Sequence, residues 1–470
     1  MQRPLRLPTL VMIGLGTTVG AGVFVITGTV AAHYAGPAVA LSFLLACLMC
    51  LCPAACYAEF AAMSPEAAGA YSYACISMGR LMGWMIGWCV ILEYLMAAAT
   101  LAVGWSGYFC GFLKLTGLAP TPEWTGTPIE WTPGQGLHPT GALFNIPAAG
   151  VVLLLTAVLF TGTKESARVG VIVVSIKLLT ILVIIAFGAL NANVLNWHPF
   201  IPPNTGQWGS FGPSGVLRGT SAVFVAYLGF DVVAALAREV QDPQRVVPRA
   251  ILATILICTI LYVAMALAIC ALIPYIELDV PNPVALALER AGLSRGPLGA
   301  VIAAATILGL TSGILGILFG QARVFVAMAR DRLLPSAVSR LGRRSAVPAL
   351  ALVATGIPAA ALAGLFPINL LGELISIGTL AVFAAVCVGV LLMRQHAPSL
   401  PRPFRVRWSP LIPLLGVVSC LLMVASLPPE TCYRFAMWLA AGLCIYGVRS
   451  FWMRDRLGSS RHWVGQVNDD

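Results

Sequence analysis

Apolar segments long enough to cross a lipid bilayer follow one another along almost the whole chain of 470 residues. Hydrophobic residues make up 59% of the sequence and charged residues only 10%, whereas a soluble domain carries about 25% charged residues. A helix that crosses a bilayer needs about 20 mainly apolar residues. By this measure the sequence predicts an all-α integral membrane protein of about twelve spans, numbered here in chain order: 8–33, 37–63, 81–113, 145–162, 168–190, 214–237, 248–273, 297–328, 346–365, 370–394, 409–427 and 432–452.

The formal net charge of +10 indicates how the spans are oriented. If the N-terminus is cytoplasmic, most Lys and Arg residues of the loops lie on the cytoplasmic side, and the loops of the other side keep only Lys114, Arg218, Arg290, Arg295 and Arg434. This distribution follows the positive-inside rule for an even number of spans. Both termini are therefore predicted to be cytoplasmic. Lipid is the expected surrounding, and a nucleic-acid partner is not expected.

Cysteine and histidine positions indicate neither a disulfide framework nor a metal site. Most of the 13 cysteines lie inside apolar segments, where a free cysteine behaves as a small hydrophobe. The five histidines are scattered and have neither HExxH nor Cys/His ligand spacing. The sequence pattern offers no nucleophile and base pair, so we expect no cofactor and no enzyme. The apolar N-terminal segment is too long for a cleaved signal and is interpreted as the first span.

The first span carries four glycines within nine positions, Gly14, Gly16, Gly20 and Gly22. Each glycine destabilises a helix interior by about 1 kcal/mol relative to alanine, so the helix can break here. Inside a bilayer the freed N–H and C=O groups need protein, water or a ligand as partners. An amino acid fits such a break, with its carboxylate at the N-terminus of the second half-helix and its ammonium at the carbonyls that end the first. Alternatively, Gly16 and Gly20 form a GxxxG face for close helix packing.

The sixth span has a second candidate break at Gly229, which is followed by an aromatic residue and by Asp231 in mid-segment. The two breaks fall at corresponding positions of two five-span halves, 8–190 and 214–394, a pattern typical of transporters built from inverted repeats. Spans 11 and 12, within residues 409–452, carry no buried charge and are expected to form a peripheral pair. The whole chain, 1–470, is then predicted to form a single membrane transporter domain.

Two charged residues lie deep inside apolar spans. Glu93 lies well inside span 3, where a carboxylate costs about 2.5 to 3.5 kcal/mol and usually faces the bundle interior. Its role is either a structural hydrogen bond to a neighbouring helix or direct contact with the substrate. Lys177 lies about ten residues from either end of span 5, too deep for its ammonium to reach the interface easily. It either exchanges a proton during function or is fixed to helix carbonyls as a structural cation.

Short motifs also occur in a characteristic order along nearly the whole chain. They are Gly14 to Gly28, Gly36-Pro37, Tyr57-Ala-Glu59, Gly87-Trp88, Ile91 to Tyr94, Gly104 to Phe109, Lys164 to Arg168, Ile176-Lys177, Asn196 to Phe200, Gly229 to Asp231, Asp242 to Arg245 and Arg323 to Asp331. Each motif is weak alone, but their order and spacing are specific. Together they resemble the amino acid-polyamine-organocation superfamily, and within it the cationic amino acid transporter group and its bacterial relatives.

This resemblance implies a fold of two inverted five-helix repeats, with helices 1 and 6 unwound at mid-membrane and two further peripheral helices. It also implies a multi-pass protein of the bacterial inner membrane that binds an amino acid. By matching positions, the carboxylate is expected at backbone N–H groups around Thr18, Gly20, Ala21 and Gly22. The ammonium is expected at carbonyls near Thr18, Val225, Ala226 and Leu228. The implied substrate-binding residues are Thr18, Gly20, Ala21, Gly22, Val225, Ala226, Tyr227, Leu228 and Glu93.

The resemblance also suggests how transport is driven. Lys177 matches a lysine that, in proton-coupled members, occupies the place where sodium-coupled relatives hold their ion. Gly16, Thr311 and Ser312 are then expected beside its ammonium, and the expected coupling ion is H⁺. The leading hypothesis is a proton-coupled symporter of amino acids working by alternating access. The alternatives are an amino acid or amine exchanger and a transporter-like nutrient receptor without appreciable flux.

Two departures from the family pattern bear on substrate and gating. Val225 stands where the family commonly has Phe, which reshapes the pocket for the substrate side chain. Arg238 stands where an acidic residue is usual, so the cytoplasmic gate is expected to be held differently. Glu93 favours cationic or broad substrates, whereas Val225 and the otherwise apolar lining of span 6 suit neutral ones. The sequence leaves this choice, and the oligomeric state, open.

Overall fold

The computed structural model describes residues 5–20, 22–64, 69–115, 117–118, 120–132, 136–161, 167–237, 240–292, 297–340 and 348–457. Ala21, Lys164 and Arg238, to which the sequence analysis gives roles, lie outside the described residues. The described chain is almost entirely helical, which confirms the predicted all-α class. The helices are α1 (Leu7–Thr18), α2 (Thr27–Val30), α3 (Val39–Met63), α4 (Ala70–Leu115), α5 (Ile146–Phe160), α6 (Ala167–Leu190), α7 (Gly212–Val223), α8 (Phe230–Ala235), α9 (Pro243–Leu272), α10 (Pro283–Arg290), α11 (Pro297–Arg330), α12 (Ala349–Leu365), α13 (Ile368–His396), α14 (Leu411–Ala425) and α15 (Pro429–Leu457).

These helices account for the predicted spans. Within the described ranges, eight helical segments are long and apolar enough to cross a membrane, and four shorter apolar helices, α1, α5, α12 and α14, join them. Span 3 is longer than predicted because α4 continues through a kink at Gly79, whose φ of 83° lies in the left-handed region. The loop after α4 holds a short antiparallel hairpin, β1 (Ile129–Thr132) and β2 (Gly136–Pro139), which the sequence analysis does not predict.

Spans 1 and 6 are both interrupted halfway, as predicted. Span 1 consists of α1, a π-helical turn at Gly22–Ile26, and α2, which continues as a second π-helical turn at Ala31–Ala35. Span 6 consists of α7, a 3₁₀ turn at Phe224–Tyr227, and α8 after a break at Leu228 and Gly229. The division into inverted repeats 8–190 and 214–394 stays a prediction.

Long helices surround the two interrupted spans. α4 packs along α11 and α13, and α9 packs along α3, α1 and α6. α14 rests on α13 and α3, and α15 rests on α13 and α4. Large apolar side chains of the last two helices stay exposed, for example Tyr433 and Val448. Since the bilayer accepts such residues, α14 and α15 are suited to a lipid-facing position.

Paired tryptophans fix α15 to α4. The indole N–H of Trp88 donates to the carbonyl of Trp438 at 2.8 Å, and the indole N–H of Trp438 donates to the carbonyl of Trp88 at 3.1 Å. The two rings stack with their centroids 4.4 Å apart. One turn away, Trp84 donates to the carbonyl of Gly442 at 2.8 Å.

The bundle has two ends, which contacts between helix termini identify. At the end where α1 begins, called the terminal face here, Arg394 forms two hydrogen bonds to Glu59, at 3.0 and 2.5 Å, and Tyr71 donates to Asp331 at 2.7 Å. At the opposite face the backbone N–H of Phe211 donates to the carbonyl of Tyr34 at 2.9 Å. That the terminal face is cytoplasmic stays a prediction from the loop charges.

Candidate substrate-binding and coupling site

The two interrupted spans touch at their breaks, and glycine makes this contact possible. A Cβ added to Gly22 would lie 2.2 Å from the Cβ of Ala226. A Cβ added to Gly229 would lie 2.7 Å from the carbonyl carbon of Thr17, and the φ of Gly229 is +116°, which other residues rarely adopt. The glycines of both breaks therefore serve close backbone approach between spans 1 and 6.

Hydrogen bonds join the two breaks to each other and to span 7. The hydroxyl of Thr17 donates to the carbonyl of Gly229 at 3.0 Å. The hydroxyl of Tyr262, on α9, lies 3.0 Å from the carbonyl oxygen of Thr18 and 2.9 Å from that of Ala226. The carbonyls of two predicted substrate-binding residues, Thr18 and Ala226, thus share one phenol proton. The sequence analysis missed Tyr262, whose only signal is a tyrosine inside an apolar span.

A small cavity, called the inner cavity here, lies beside the breaks. Its volume is 30 Å³, which leaves room for about two water molecules. Apolar side chains form most of its wall: Ile26, Ala97, Leu101, Val225, Ile317 and Ile375. Thr18 and Thr100 also belong to the lining. Their hydroxyls are buried, and neither has a hydrogen-bond partner among the described residues. An unpartnered buried hydroxyl costs about 1 to 3 kcal/mol, so the pair indicates a place for a polar group.

The predicted substrate-binding residues do not all line the same cavity. Thr18, Gly20, Gly22, Val225 and Leu228 line the inner cavity. Outside this group, Ala226 meets the other break through its Cβ and its carbonyl.

The side chain of Tyr227 points elsewhere. Its hydroxyl donates to the carbonyl of Phe43 at 2.9 Å and lies 3.0 Å from the hydroxyl of Thr259. The ring is fully buried against α3 and α9. Sequence position alone did not distinguish Tyr227 from Val225, because the 3₁₀ turn between them rotates the side chains.

Lys177 reaches from α6 to the end of α1. Its ammonium donates to the carbonyl of Val19 at 2.7 Å and to that of Gly16 at 3.1 Å, and the residue is 1% exposed. The last carbonyls of a helix lack intrahelical partners and carry partial negative charge, which a cation stabilises. The contact with Gly16 agrees with the position that the resemblance assigns to this residue.

The side of Lys177 that faces span 8 lies against a glycine. A Cβ added to Gly309 would lie 3.1 Å from the Cε of Lys177. Thr311 accepts from the indole of Trp105 at 2.9 Å and donates to the carbonyl of Ile307. Ser312 donates to the carbonyl of Gly309 at 2.9 Å. In the part of the chain that the structure describes, neither hydroxyl shares a hydrogen bond with Lys177, and their predicted role at the ammonium stays a prediction.

A larger cavity of 290 Å³ extends from the breaks toward the terminal face. It shares Thr17, Leu228 and Ile317 with the inner cavity. Its wall contains two carboxylates, Glu93 and Asp231, together with Arg323, Tyr71 and Tyr94.

The two carboxylates are held differently. Asp231 accepts from the backbone N–H of Gly229 at 3.1 Å and from the hydroxyl of Tyr94 at 3.4 Å. Oε2 of Glu93 is buried without a hydrogen-bond partner among the described residues. Glu93 therefore lines the larger cavity, and the inner cavity has no carboxylate among its lining residues.

Comparison with known proteins agrees with this architecture. A model of the amino acid permease family matches residues 5–447. The chain is 37% identical over 446 residues to the methylthioribose transporter of Bacillus subtilis (strain 168), covering 95% of this chain and 93% of that protein. It is 38% identical over 448 residues to a branched-chain amino acid permease of the same strain, covering 95% and 92%.

A eukaryotic relative is the vacuolar cationic amino acid transporter 4 of Arabidopsis thaliana, 36% identical over 398 residues, which cover 85% of this chain and 64% of that protein. These three relatives are named as transporters or permeases, which implies a function other than catalysis. The family model spans all of the helices that hold the two breaks, Lys177 and the cavities. The chain is an integral multi-pass membrane protein that belongs to the amino acid permease family.

Proposed function

We propose that the protein imports amino acids across the cytoplasmic membrane together with protons, by alternating access around the two broken spans. The observation that carries this proposal is the ammonium of Lys177, placed 2.7 Å from the carbonyl of Val19 at the end of α1. Val19 adjoins Thr18 and Gly20, which line the inner cavity. A change of charge on Lys177 therefore acts on the same piece of backbone that is proposed to hold the substrate.

The coupling follows from the chemistry of this contact. A protonated Lys177 binds the carbonyls of Gly16 and Val19 and favours the conformation in which α1 is held against α6. A neutral amine loses the charge that attracts the helix terminus, so this conformation loses its advantage. Proton binding and the position of α1 are then linked. The same fixed cation repels Na⁺, so sodium should not replace the proton.

The substrate would lie across the breaks. The π-helical turn that begins at Gly22 would supply N–H groups for a carboxylate, and Thr18 lines the same cavity. The carbonyls of Thr18 and Ala226 accept from Tyr262, and each keeps a second lone pair for an ammonium. From span 3, Thr100 lines the same cavity, and its unpartnered hydroxyl is available to a polar group of the substrate.

For the side chain of the substrate, we propose a neutral aliphatic group. The wall of the inner cavity is aliphatic, and the carboxylates of Glu93 and Asp231 lie in the larger cavity. A cationic side chain in the inner cavity would lack an ionic partner, which is costly away from water. The branched-chain amino acid permease among the relatives supports a neutral aliphatic substrate. The cationic amino acid transporter among them supports the competing class, a cationic substrate.

The test is uptake of labelled leucine and arginine into proteoliposomes. We expect leucine uptake that an inward proton gradient stimulates and that sodium does not change. Lys177→Met should abolish this stimulation because it removes the titrating group while keeping length. Lys114→Met is the matched control, since Lys114 is exposed at the end of α4.

Three results would contradict the proposal. Full gradient-driven uptake by Lys177→Met would remove the coupling role of the lysine. Uptake that requires amino acid inside the vesicles would indicate an exchanger. A preference for arginine over leucine would overturn the substrate class only.

A further inference from the structure

A second small cavity, called the outer cavity here, lies between the inner cavity and the opposite face. It also measures 30 Å³ and is lined by residues of span 1, α7 and α13. Ile26 belongs to the lining of both cavities. On α13, Ile375 faces the inner cavity, and Gly372 and Glu373 face the outer one. The outer cavity therefore adjoins the inner cavity on the side away from the terminal face.

Two oxygen acceptors of the outer cavity have no hydrogen-bond donor in the described part of the chain. They are Oε1 of Glu373 and Oδ1 of Asn369, one turn apart on α13. Glu373 is only 8% exposed. Its other oxygen, Oε2, accepts from the hydroxyl of Thr431 at 2.5 Å, which fixes the orientation of the carboxylate. A buried carboxylate oxygen without a donor is costly, so the arrangement is suited to a ligand that brings N–H donors and positive charge.

A cation of the protein stands next to this acceptor pair. Nη2 of Arg218, on α7, lies 3.9 Å from Oε1 of Glu373, which is too long for a hydrogen bond. The guanidinium is instead held over the ring of Tyr34, 4.3 Å from its centroid. The wall of the outer cavity thus contains the carboxylate of Glu373, and Arg218 stands beside that carboxylate at ion-pair distance, outside the residues that line the cavity. This pair of charges is complementary to the ammonium and the carboxylate of a free amino acid.

We propose that Glu373 and Asn369 form an outer binding subsite that receives the ammonium group of an incoming amino acid, with Arg218 facing the carboxylate. The subsite rests on the proposed function, since it takes the same zwitterion before the inner cavity does. A cavity of 30 Å³ has room for about two water molecules and is too small for an amino acid, so substrate enters when α7 and α13 separate. That separation moves Arg218 away from Glu373 and opens space between the two charges.

The experiment measures KM and kcat for substrate added outside right-side-out proteoliposomes. Glu373→Gln keeps the shape of the side chain and the acceptor for Thr431 but removes the charge. We expect the external KM to rise about tenfold with kcat nearly unchanged, because a hydrogen bond to a charged group is lost. Asn369→Leu should raise KM about threefold by removing a neutral acceptor. Glu430→Gln is the control: it removes the charge of an exposed carboxylate at the start of α15 that does not line the outer cavity, and its KM should stay within about twofold of the wild type.

An amine without a carboxylate separates ammonium recognition from a structural role. Isobutylamine added outside should inhibit wild-type uptake competitively, and Glu373→Gln should weaken this inhibition about tenfold. A fall in kcat at unchanged KM, or equal inhibition of both proteins by the amine, would overturn the subsite. If Glu373→Gln does not fold, Asn369→Leu decides by the same two readouts. Absence of amino acid uptake by the wild type would instead contradict the proposed function.

Discussion

The phenol of Tyr262 lies 3.0 Å from the carbonyl oxygen of Thr18, so span 7 is tied to the last residue of α1. The same hydroxyl is 2.9 Å from the carbonyl of Ala226 in span 6. A hydroxyl has one proton, so the two carbonyls compete for it. Tyr262 thereby connects the two breaks through a single donor, at the place where a substrate ammonium would compete for the same oxygens.

Replacing Tyr262 by Phe should therefore change substrate binding more than stability. The variant keeps the ring and loses one buried hydrogen bond, worth about 1 kcal/mol. We expect a lower melting temperature and a change in substrate affinity of at least fivefold. Higher affinity would mean that the phenol competes with the substrate ammonium for the carbonyls. Lower affinity would mean that the phenol positions those carbonyls for the ammonium.

Tyr227→Phe is the control for this change, because the hydroxyl of Tyr227 bonds to Phe43 and lies near Thr259, outside the cavities. It should show a similar melting shift and an unchanged affinity, measured by thermal shift with and without leucine. Equal affinities for both variants and the wild type would exclude a role of Tyr262 in binding.

Gly309 should control how well Lys177 reaches α1. An alanine methyl at 3.1 Å from Cε is closer than normal contact, so the lysine chain must move. Overpacking of this kind costs about 1 to 3 kcal/mol. We expect Gly309→Ala to slow gradient-driven uptake by about tenfold.

Gly316→Ala, on the same helix, tests whether the effect comes from the helix alone. Gly316 lines the larger cavity, and nothing lies within 4 Å of its added methyl, so one methyl group in a volume of 290 Å³ should leave uptake within about twofold of the wild-type rate. Similar losses in both variants would place the cause in helix α11 itself rather than in its contact with the lysine.

Thr100→Val should weaken substrate binding without lowering the stability of the protein. The hydroxyl of Thr100 is buried without a partner in the described chain, so its removal takes away a desolvation cost of about 1 to 3 kcal/mol. The variant is expected to melt at the same or a higher temperature without substrate and to bind leucine about tenfold more weakly.

Thr355→Val serves as the comparison, since its hydroxyl already donates to the carbonyl of Ala351 at 2.8 Å. It should be slightly destabilised with unchanged affinity. A destabilised Thr100→Val with normal affinity would show that its hydroxyl has a structural partner.

Val225→Phe should narrow the range of substrates. Val225 lines the inner cavity, and a phenyl ring there fills space that a branched side chain needs. We expect leucine and isoleucine uptake to fall at least tenfold while alanine uptake stays within about twofold. Competition of unlabelled amino acids against labelled alanine measures this. Unchanged inhibition by leucine would mean that the substrate side chain lies elsewhere.

The sequence predicted what depends on local chemistry. Glycines at Gly22 and Gly229 marked both breaks because a bilayer tolerates an interrupted helix only where its backbone groups find partners. Lys177 stood out because a charge deep in an apolar span is costly. The family resemblance led us to expect its contact with Gly16. It did not predict the shorter contact with the carbonyl of Val19.

Features that depend on packing were not accessible from the sequence. Thr100 looks like any threonine in a membrane helix until its missing partner is known, and Gly309 like any small residue until Lys177 is placed against it. The direction of Glu93 depends on how α4 packs against its neighbours α11 and α13, and only the structure places it in the larger cavity. The hairpin of β1 and β2 was missed because its sequence reads as a Pro- and Gly-rich loop.

The mutual indole bonds of Trp88 and Trp438 have a mechanical consequence. α4 carries Trp88 on one side and the cavity residues Glu93 and Thr100 on the other. The indole bonds thus fix α15 to a helix that lines both the inner and the larger cavity. We therefore expect these two helices to stay fixed during transport. The rearrangement of the proposed cycle would then fall to the short half-helices of spans 1 and 6, while the surface that faces the lipid keeps its shape.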